Sequence, residues 1–362
     1  MSGATLPELD VLVVGAGQAG LAAGYWLRQS KVNFAIVERA ARVGESWRQR
    51  YDSLTLFTPR AFSGLPGMLL SGDPEGYATA REFADYLDAY VTQFSLPVRT
   101  STEVRRLKRR DDGRFLATLS EGTDITARAV IVAAGAFQRP KLPALAAEFD
   151  GRVAQLTVET YHRPADVPEG TVLVVGDGAS GRDIAADLAG ARRVLLATGR
   201  KRRLLPERLF GRSVWWWLSA TGLMRAGPSS LIGRIMRAAD PFPNRNRDLV
   251  DLQRLGIVAK PRALSAKGSE VTFADGTRSA IEAVVWTIGY EDDARWIEIA
   301  EAKDADGGLL IDHGASPVRG LYHLGRPWQR NRASALIMGT GPDAKLVVDH
   351  LWVRGTARVP AA

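Results

Sequence analysis

Two glycine-rich segments carry the most specific chemistry in this chain. One reads VLVVGAGQAGL from Val11 to Leu21, the other VLVVGDGASG from Val172 to Gly181. Each follows an apolar run of the kind that forms a buried parallel strand. In such a loop Gly15 or Gly176 makes the tight turn. Gly17 or Gly178 lets the backbone approach a pyrophosphate, and Gly20 or Gly181 lets the next helix pack closely on the strand. Unpaired N–H groups at the helix start then face the phosphates. Gln18 and Ala19 in the first copy, and Ala179 and Ser180 in the second, therefore join the candidate contacts. Two loops imply two dinucleotides on one protein and electrons passed between them.

The residue that ends the following strand selects the cofactor. Glu38 ends the run Val32 to Val37; a carboxylate there binds ribose hydroxyls and repels a 2′-phosphate, which suits FAD or NAD. In the second copy the run Ala191 to Gly199 ends at Arg200, followed by Lys201, Arg202 and Arg203. Arg200 and Lys201 would pair with a 2′-phosphate, which suits NADPH. The competing reading is a solvated basic loop.

Composition removes several classes. The 362 residues carry a net charge of +8 and no cysteine, which excludes disulfides, thiolate metal sites, iron–sulfur clusters and a redox-active CxxC. His162, His313, His323 and His350 lack metal-ligand spacing, so no metal is expected. The basic charge raises nucleic acid as a partner, but no DNA- or RNA-binding pattern accompanies it. Glu8 and Asp10 make the start unlike a signal peptide, and no apolar run reaches the length of a membrane span. A cytoplasmic location is expected.

The elements that must position the loops can be read coarsely. Helical character runs from Gln18 to Ser30 and from Arg81 to Val91. Closing strands are expected over Ala129 to Gly135 and Ala283 to Gly289, each after a hairpin turned at Asp112-Gly113 or Asp275-Gly276. The pattern predicts an α/β fold of two dinucleotide-binding Rossmann-like domains, each with an inserted antiparallel β-meander. Prolines near 139–143 and 163–170 mark crossings. Gly320 to Gly325 reads as a further buried strand returning to the first unit. The FAD-binding domain is then discontinuous, 1–163 and 295–362, with an NADPH-binding domain over 164–294. Trp215, Trp216 and Trp217 cannot share one helix face. They are open to three readings: core or interdomain packing, a lid, or a weak membrane-surface patch with Arg225, Arg234 and Arg237.

Further segments carry a family resemblance: Gly44 to Trp47 (GESW), Arg50 to Leu54, Leu56 to Pro59, Ala133 to Gly135, Phe149-Asp150-Gly151 with Tyr161, and Pro327 to Gln329 with Ser334 to Leu336. With the two loops, these make the chain resemble a class B flavin-containing monooxygenase of the short bacterial type, similar to plant YUCCA-type enzymes. The resemblance implies that NADPH reduces FAD. The reduced flavin then adds molecular oxygen at C4a, and the resulting hydroperoxide oxygenates a small organic nucleophile or carbonyl compound. It extends the FAD set with Arg39, Gly44, Ser46, Trp47, Val104, Ala134 and Gly325. It also puts Phe57, Thr58 and Gln329 beside the flavin, with no general acid or base among them.

Three departures stand out. Thr157-Val158 occupies the place of a family histidine, Phe57 that of an asparagine of animal members, and Thr287-Ile288-Gly289 that of an A-T-G. Thr157 keeps an alternative open, an FAD-dependent NADPH oxidase or flavin reductase without oxygen insertion. Oligomeric state and substrate identity are not legible.

Overall fold

The computed structural model describes residues 8–353. Two sheets organise it, the first mixed and the second parallel. In the first, Leu9–Val14 lies between Phe34–Val37 and Asp124–Val132, and Val98–Arg99 extends the far edge beyond Phe34–Val37. Asp124–Val132 is long enough to serve two partners along its other edge. Its first half pairs antiparallel with Phe115–Leu119, which pairs in turn with Val104–Arg109. Its last three residues pair in parallel with Leu321–His323. A strand from late in the chain thus completes the first sheet.

The second sheet is all parallel. Its order is Val258–Lys260, Arg193–Ala197, Thr171–Val175, Ala283–Trp286, Ala154–Thr157. Ala154–Thr157 therefore belongs to the second sheet although it precedes the expected boundary at 163. Three antiparallel strands, Ala263–Lys267, Glu270–Phe273 and Arg278–Ala280, form a separate small sheet. Left-handed Gly113 and Gly276 turn the two hairpins.

Strand alternation explains the layers. Val11, Val13, Ile36, Ala129 and Ile131 face a core with Leu21, Leu27, Phe83 and Tyr90 from helices Gln18–Gln29 and Ala80–Gln93. Helix Ile337–Val353 adds Val347, Val348 and Leu351 to it. Leu12, Val14, Val37, Val130 and Val132 face the other way, onto Leu107, Phe115 and Ile125. The second sheet repeats this. Val172, Val174 and Val285 meet Ile184 and Leu188 of helix Ala179–Leu188, while Leu173, Leu195 and Trp286 meet Val271 and Phe273. Helix Ala80–Gln93 starts in a capping box, Thr79 and Glu82 each accepting from the other's backbone N–H.

Between Leu204 and Arg254 the chain leaves this scheme for short strands and the helices Val214–Ala220, Leu231–Ala239 and Leu249–Arg254. No described helix is long and apolar enough to cross a membrane.

Candidate dinucleotide sites

The strands of the first sheet end together. Gly15 N–H donates to Val37 C=O at 2.8 Å, Ala133 N–H to Val14 C=O at 2.8 Å, and Leu324 N–H to Val132 C=O at 2.9 Å. This is the carboxyl edge at which open α/β sheets bind ligands. Gly15 has φ +104°, and a Cβ there would meet Ala133 O at 2.5 Å. A Cβ at Gly20 would meet Gly15 O at 1.9 Å, whereas one at Gly17 would meet nothing within 4 Å. So Gly15 and Gly20 serve the packing, and Gly17 faces an open cradle that a side chain would fill. Gly17 also caps helix Gln18–Gln29 with no side-chain bond, which leaves the helix-start N–H groups for an anion. The residues present fit a dinucleotide.

The other first-site candidates converge only in part. The Glu38 carboxylate accepts from Ala16 N–H at 2.8 Å and Ala40 N–H at 3.0 Å, which holds it beside the loop. Trp47 Nε1–H donates to Gln18 Oε1 at 3.3 Å, and Trp47 packs edge-on against Phe83. Gly44, with φ +78°, starts the short helix Glu45–Arg48 that carries Ser46 and Trp47. A Cβ at Gly325 would meet the Cβ of buried Ala19 at 3.1 Å. Arg39, Ser46 and Ala134 are exposed, and Val104 is buried.

The second loop repeats the geometry. Gly176 has φ +107°; its Cβ would meet Thr287 O at 2.7 Å, and a Cβ at Gly181 would meet Gly176 O at 1.9 Å. Thr287 Oγ1–H lies 2.8 Å from both Val175 O and Gly176 O and fastens the turn. That role was hidden in a motif departure. Asp177 stands where the first loop has Ala16. It is buried with Arg182, 3.2 Å away, which also donates to Asp177 O.

The cationic run is unevenly placed. Lys201 is exposed. Arg200 and Arg202 share Asp240, at 3.2 and 3.1 Å. Arg202 alone also reaches the loop, 3.8 Å from Asp177 and 3.9 Å from a Cβ at Gly178. The spacing argument named Arg200 and Lys201, but the turn after Ala197 brings Arg202, not either of them, to the glycines.

A cleft opens beside the second loop and reaches Phe57. Phe57, Ala179, Arg182, Asp183, Phe242, Asn244, Arg245 and Arg247 line it. Asp183 is held above the usual carboxylate range by burial, against Arg245 and Arg247. Tyr51 Oη–H donates to Asp183 at 3.4 Å, and burial pushes its hydroxyl up. Arg245 donates to Thr55, and Arg247 Nε–H is buried without a hydrogen-bond partner. Arg245 and Asn246 are both left-handed, at φ +51° and +55°. These cations lay beyond any motif.

Of the three residues expected beside the flavin, only Phe57 reaches this cleft. Thr58 is buried with its hydroxyl 2.8 Å from Ser63 Oγ, and Gln329 Oε1 accepts from Arg326 N–H at 3.4 Å within its own turn. Thr157 Oγ1 accepts from Glu159 N–H at 3.2 Å and lies 3.4 Å from Thr160 Oγ1, all within one turn at the strand end. Trp215 is buried; it donates Nε1–H to Phe57 O at 2.8 Å and stacks obliquely on the Phe57 ring. Trp216 and Trp217 are half-buried and meet edge to face.

Comparison with known proteins shows the family and the fold. The family model for pyridine nucleotide-disulphide oxidoreductases matches residues 12–205. A CzcO-like uncharacterized oxidoreductase of Geobacillus kaustophilus is 42% identical over 345 residues, 95% of this chain and 98% of that one. The probable indole-3-pyruvate monooxygenase YUCCA9 of Arabidopsis thaliana is 32% identical over 213 residues, 56% of this chain and 50% of that one. Among solved structures, a flavin-containing monooxygenase from Stenotrophomonas maltophilia superposes with a TM-score of 0.79 at 25% identity, covering 96% of this chain and 99% of that one.

Proposed function

We propose that this chain, which belongs to the pyridine nucleotide-disulphide oxidoreductase family and is an oxidoreductase of the class B flavin-monooxygenase type, is an NADPH- and FAD-dependent monooxygenase acting on a small organic molecule. The observation that carries it is the pair of glycine loops with one geometry and opposite charge at the ribose position. Glu38 stands at the first, Arg200 and Arg202 at the second. The first sheet, completed by Leu321–His323, is then the FAD domain, and the second is the NADPH domain. The absence of cysteine leaves no thiol for the disulfide chemistry in the family's name.

Bound FAD supplies hydride acceptance and activation of molecular oxygen. The chain supplies position and dryness. Gly17 and the start of helix Gln18–Gln29 take the flavin pyrophosphate, and Glu38 takes the ribose hydroxyls. Gly178 and the start of helix Ala179–Leu188 take the second pyrophosphate, with Arg245 and Arg247 adding positive charge from across the cleft. Arg202 and Arg200 take the 2′-phosphate. Phe57 and Trp215 form an apolar wall between the two halves that excludes water. YUCCA9 is named for indole-3-pyruvate; an aromatic 2-oxo acid belongs in the substrate panel with sulfides, amines and ketones.

The alternative of an NADPH oxidase without oxygen insertion keeps one specific support. Thr157 spends its hydroxyl in a local turn and holds nothing across the domain junction. One experiment separates the two. NADPH consumption, hydrogen peroxide and oxygenated product are measured together over the panel. Product formed with little peroxide supports the monooxygenase. Stoichiometric peroxide with every compound supports the oxidase, and an apoprotein that binds no FAD defeats both.

A further inference from the structure

Helix Leu231–Ala239 is built the wrong way round for a soluble surface. An amphipathic helix normally buries its apolar stripe. Leu231, Ile232 and Ile235 share one face by helical spacing, and they are 67%, 46% and 57% exposed. The residue this helix buries is Gly233. A Cβ there would meet Gly227 O at 1.9 Å, so the glycine side is buried under the turn that leads into the helix, and the apolar side points out. Both ends are tied. Ser230 caps the start through Gly233 N–H at 2.9 Å, and Asp240 at the end pairs with Arg200 and Arg202. Phe210, at the tip of the hairpin earlier in the same insert, is 91% exposed.

Charge says what covers this face. From Arg208 to Ala239 there are five arginines and no aspartate or glutamate. Among the described residues no carboxylate pairs with Arg225, Arg234 or Arg237, and all three are exposed. A second copy docking through the same face would set these arginines against their own duplicates, and like charge opposes that. An apolar face flanked by unpaired arginines matches a surface that is negative at its plane and oily just beneath. We propose that the insert, through helix Leu231–Ala239, docks the protein on the surface of an anionic lipid bilayer. This inference does not rest on the reaction assigned above.

Vesicle flotation of the full-length protein tests it. Vesicles of phosphatidylcholine with phosphatidylglycerol should carry the protein, and phosphatidylcholine alone should carry far less. Added salt should weaken the binding, since each arginine acts through a screened field. Ile235→Asp puts a charge on the apolar face and should cut the binding at least about tenfold. Arg234→Gln with Arg237→Gln should cut it roughly tenfold or more. These side chains are exposed, so unfolding temperatures should stay within a few degrees. Two measurements on the unmodified protein keep the test decisive should a variant misfold. Failure to float with anionic vesicles overturns the proposal, as does equal flotation with both lipids. Binding that survives both sets of substitutions also overturns it, because it would lie elsewhere. A dimer in light scattering that Ile235→Asp disperses would show that a second copy covers the face, and would overturn it too.

Discussion

Arg200 and Arg202 contend for one Asp240 carboxylate, and only Arg202 also leans on the glycine loop. Side-chain exposure separates them further, 55% against 21%. A less hydrated guanidinium makes the stronger charge-assisted bond. Arg202→Ala is therefore expected to weaken NADPH binding by about 1.5–3 kcal/mol and to leave NADH nearly unchanged, with a smaller effect from Arg200→Ala. Titration with both nucleotides decides it; equal losses would mean that Arg202 acts through buried Asp177. His323 carries a different residue-scale consequence. It is fully buried with neither ring nitrogen bonded. Burial first, then Arg326, pushes its pKa down to about 4, with Asp292 opposing. An unfolded histidine takes its proton at about 6.5, so between these values the unfolded chain holds the extra proton. Stability must then fall as pH drops through that window. On going from about pH 7 to pH 5 the loss is on the order of 2 kcal/mol. Urea unfolding should show His323→Leu losing correspondingly less over the same interval. Parallel losses would place the acid sensitivity elsewhere.

At the level of elements, both loops give a test of independence. Ala at position 20 or 181 would put a Cβ 1.9 Å from a carbonyl oxygen of its own loop, and backbone cannot yield as a side-chain tip does. Overpacking of this kind costs about 1–3 kcal/mol and would move the helix start away from a dinucleotide bound as proposed. Gly20→Ala should give protein depleted in FAD. Gly181→Ala should stay yellow and lose NADPH-dependent flavin reduction while dithionite still reduces it. Loss of FAD from both variants would show that the halves fold as one unit. These loops were legible because their spacing is fixed by sterics, as was Glu38 by its place at a strand end. Ala154–Thr157 was not. Four residues with two half-buried positions show no period, and only the register with Ala283–Trp286 reveals the strand. Leu231–Ala239 is the opposite case: its pattern announces a helix and misleads about which face is buried, because the packing is set by Gly233. Likewise Arg245 and Arg247 reach the cleft from an insert with no motif of its own.

The whole molecule depends on how its two sheets are held together. Asp52 N–H donates to His162 C=O at 2.8 Å, Arg50 donates to Tyr290, and Arg139-Pro140 pairs with Tyr290-Glu291 as a two-residue antiparallel ladder. Most of these joints are polar and partly exposed. Two buried side chains also cross: Tyr51 sits in the core of the second sheet with its hydroxyl 3.4 Å from Asp183, and the Trp215 indole reaches from the insert to the backbone of Phe57. If the cleft must stay dry while oxygen chemistry proceeds, loosening this contact should cost coupling before it costs reduction. Trp215→Phe keeps an aromatic ring and deletes the N–H, leaving the Phe57 carbonyl short of a partner at about 1–3 kcal/mol. Trp215→Ala also opens a cavity, at about 3–5 kcal/mol. The expected order of hydrogen peroxide released per NADPH is unmodified protein, then Trp215→Phe, then Trp215→Ala, with the rate of anaerobic flavin reduction in Trp215→Phe within a few-fold of the original. Parallel stopped-flow reduction and peroxide assays give both numbers on one preparation. A fall in reduction rate without extra peroxide would mean that Trp215 positions the nicotinamide. No change in either would confine the tryptophan to stability, which thermal unfolding of the same variants reports directly.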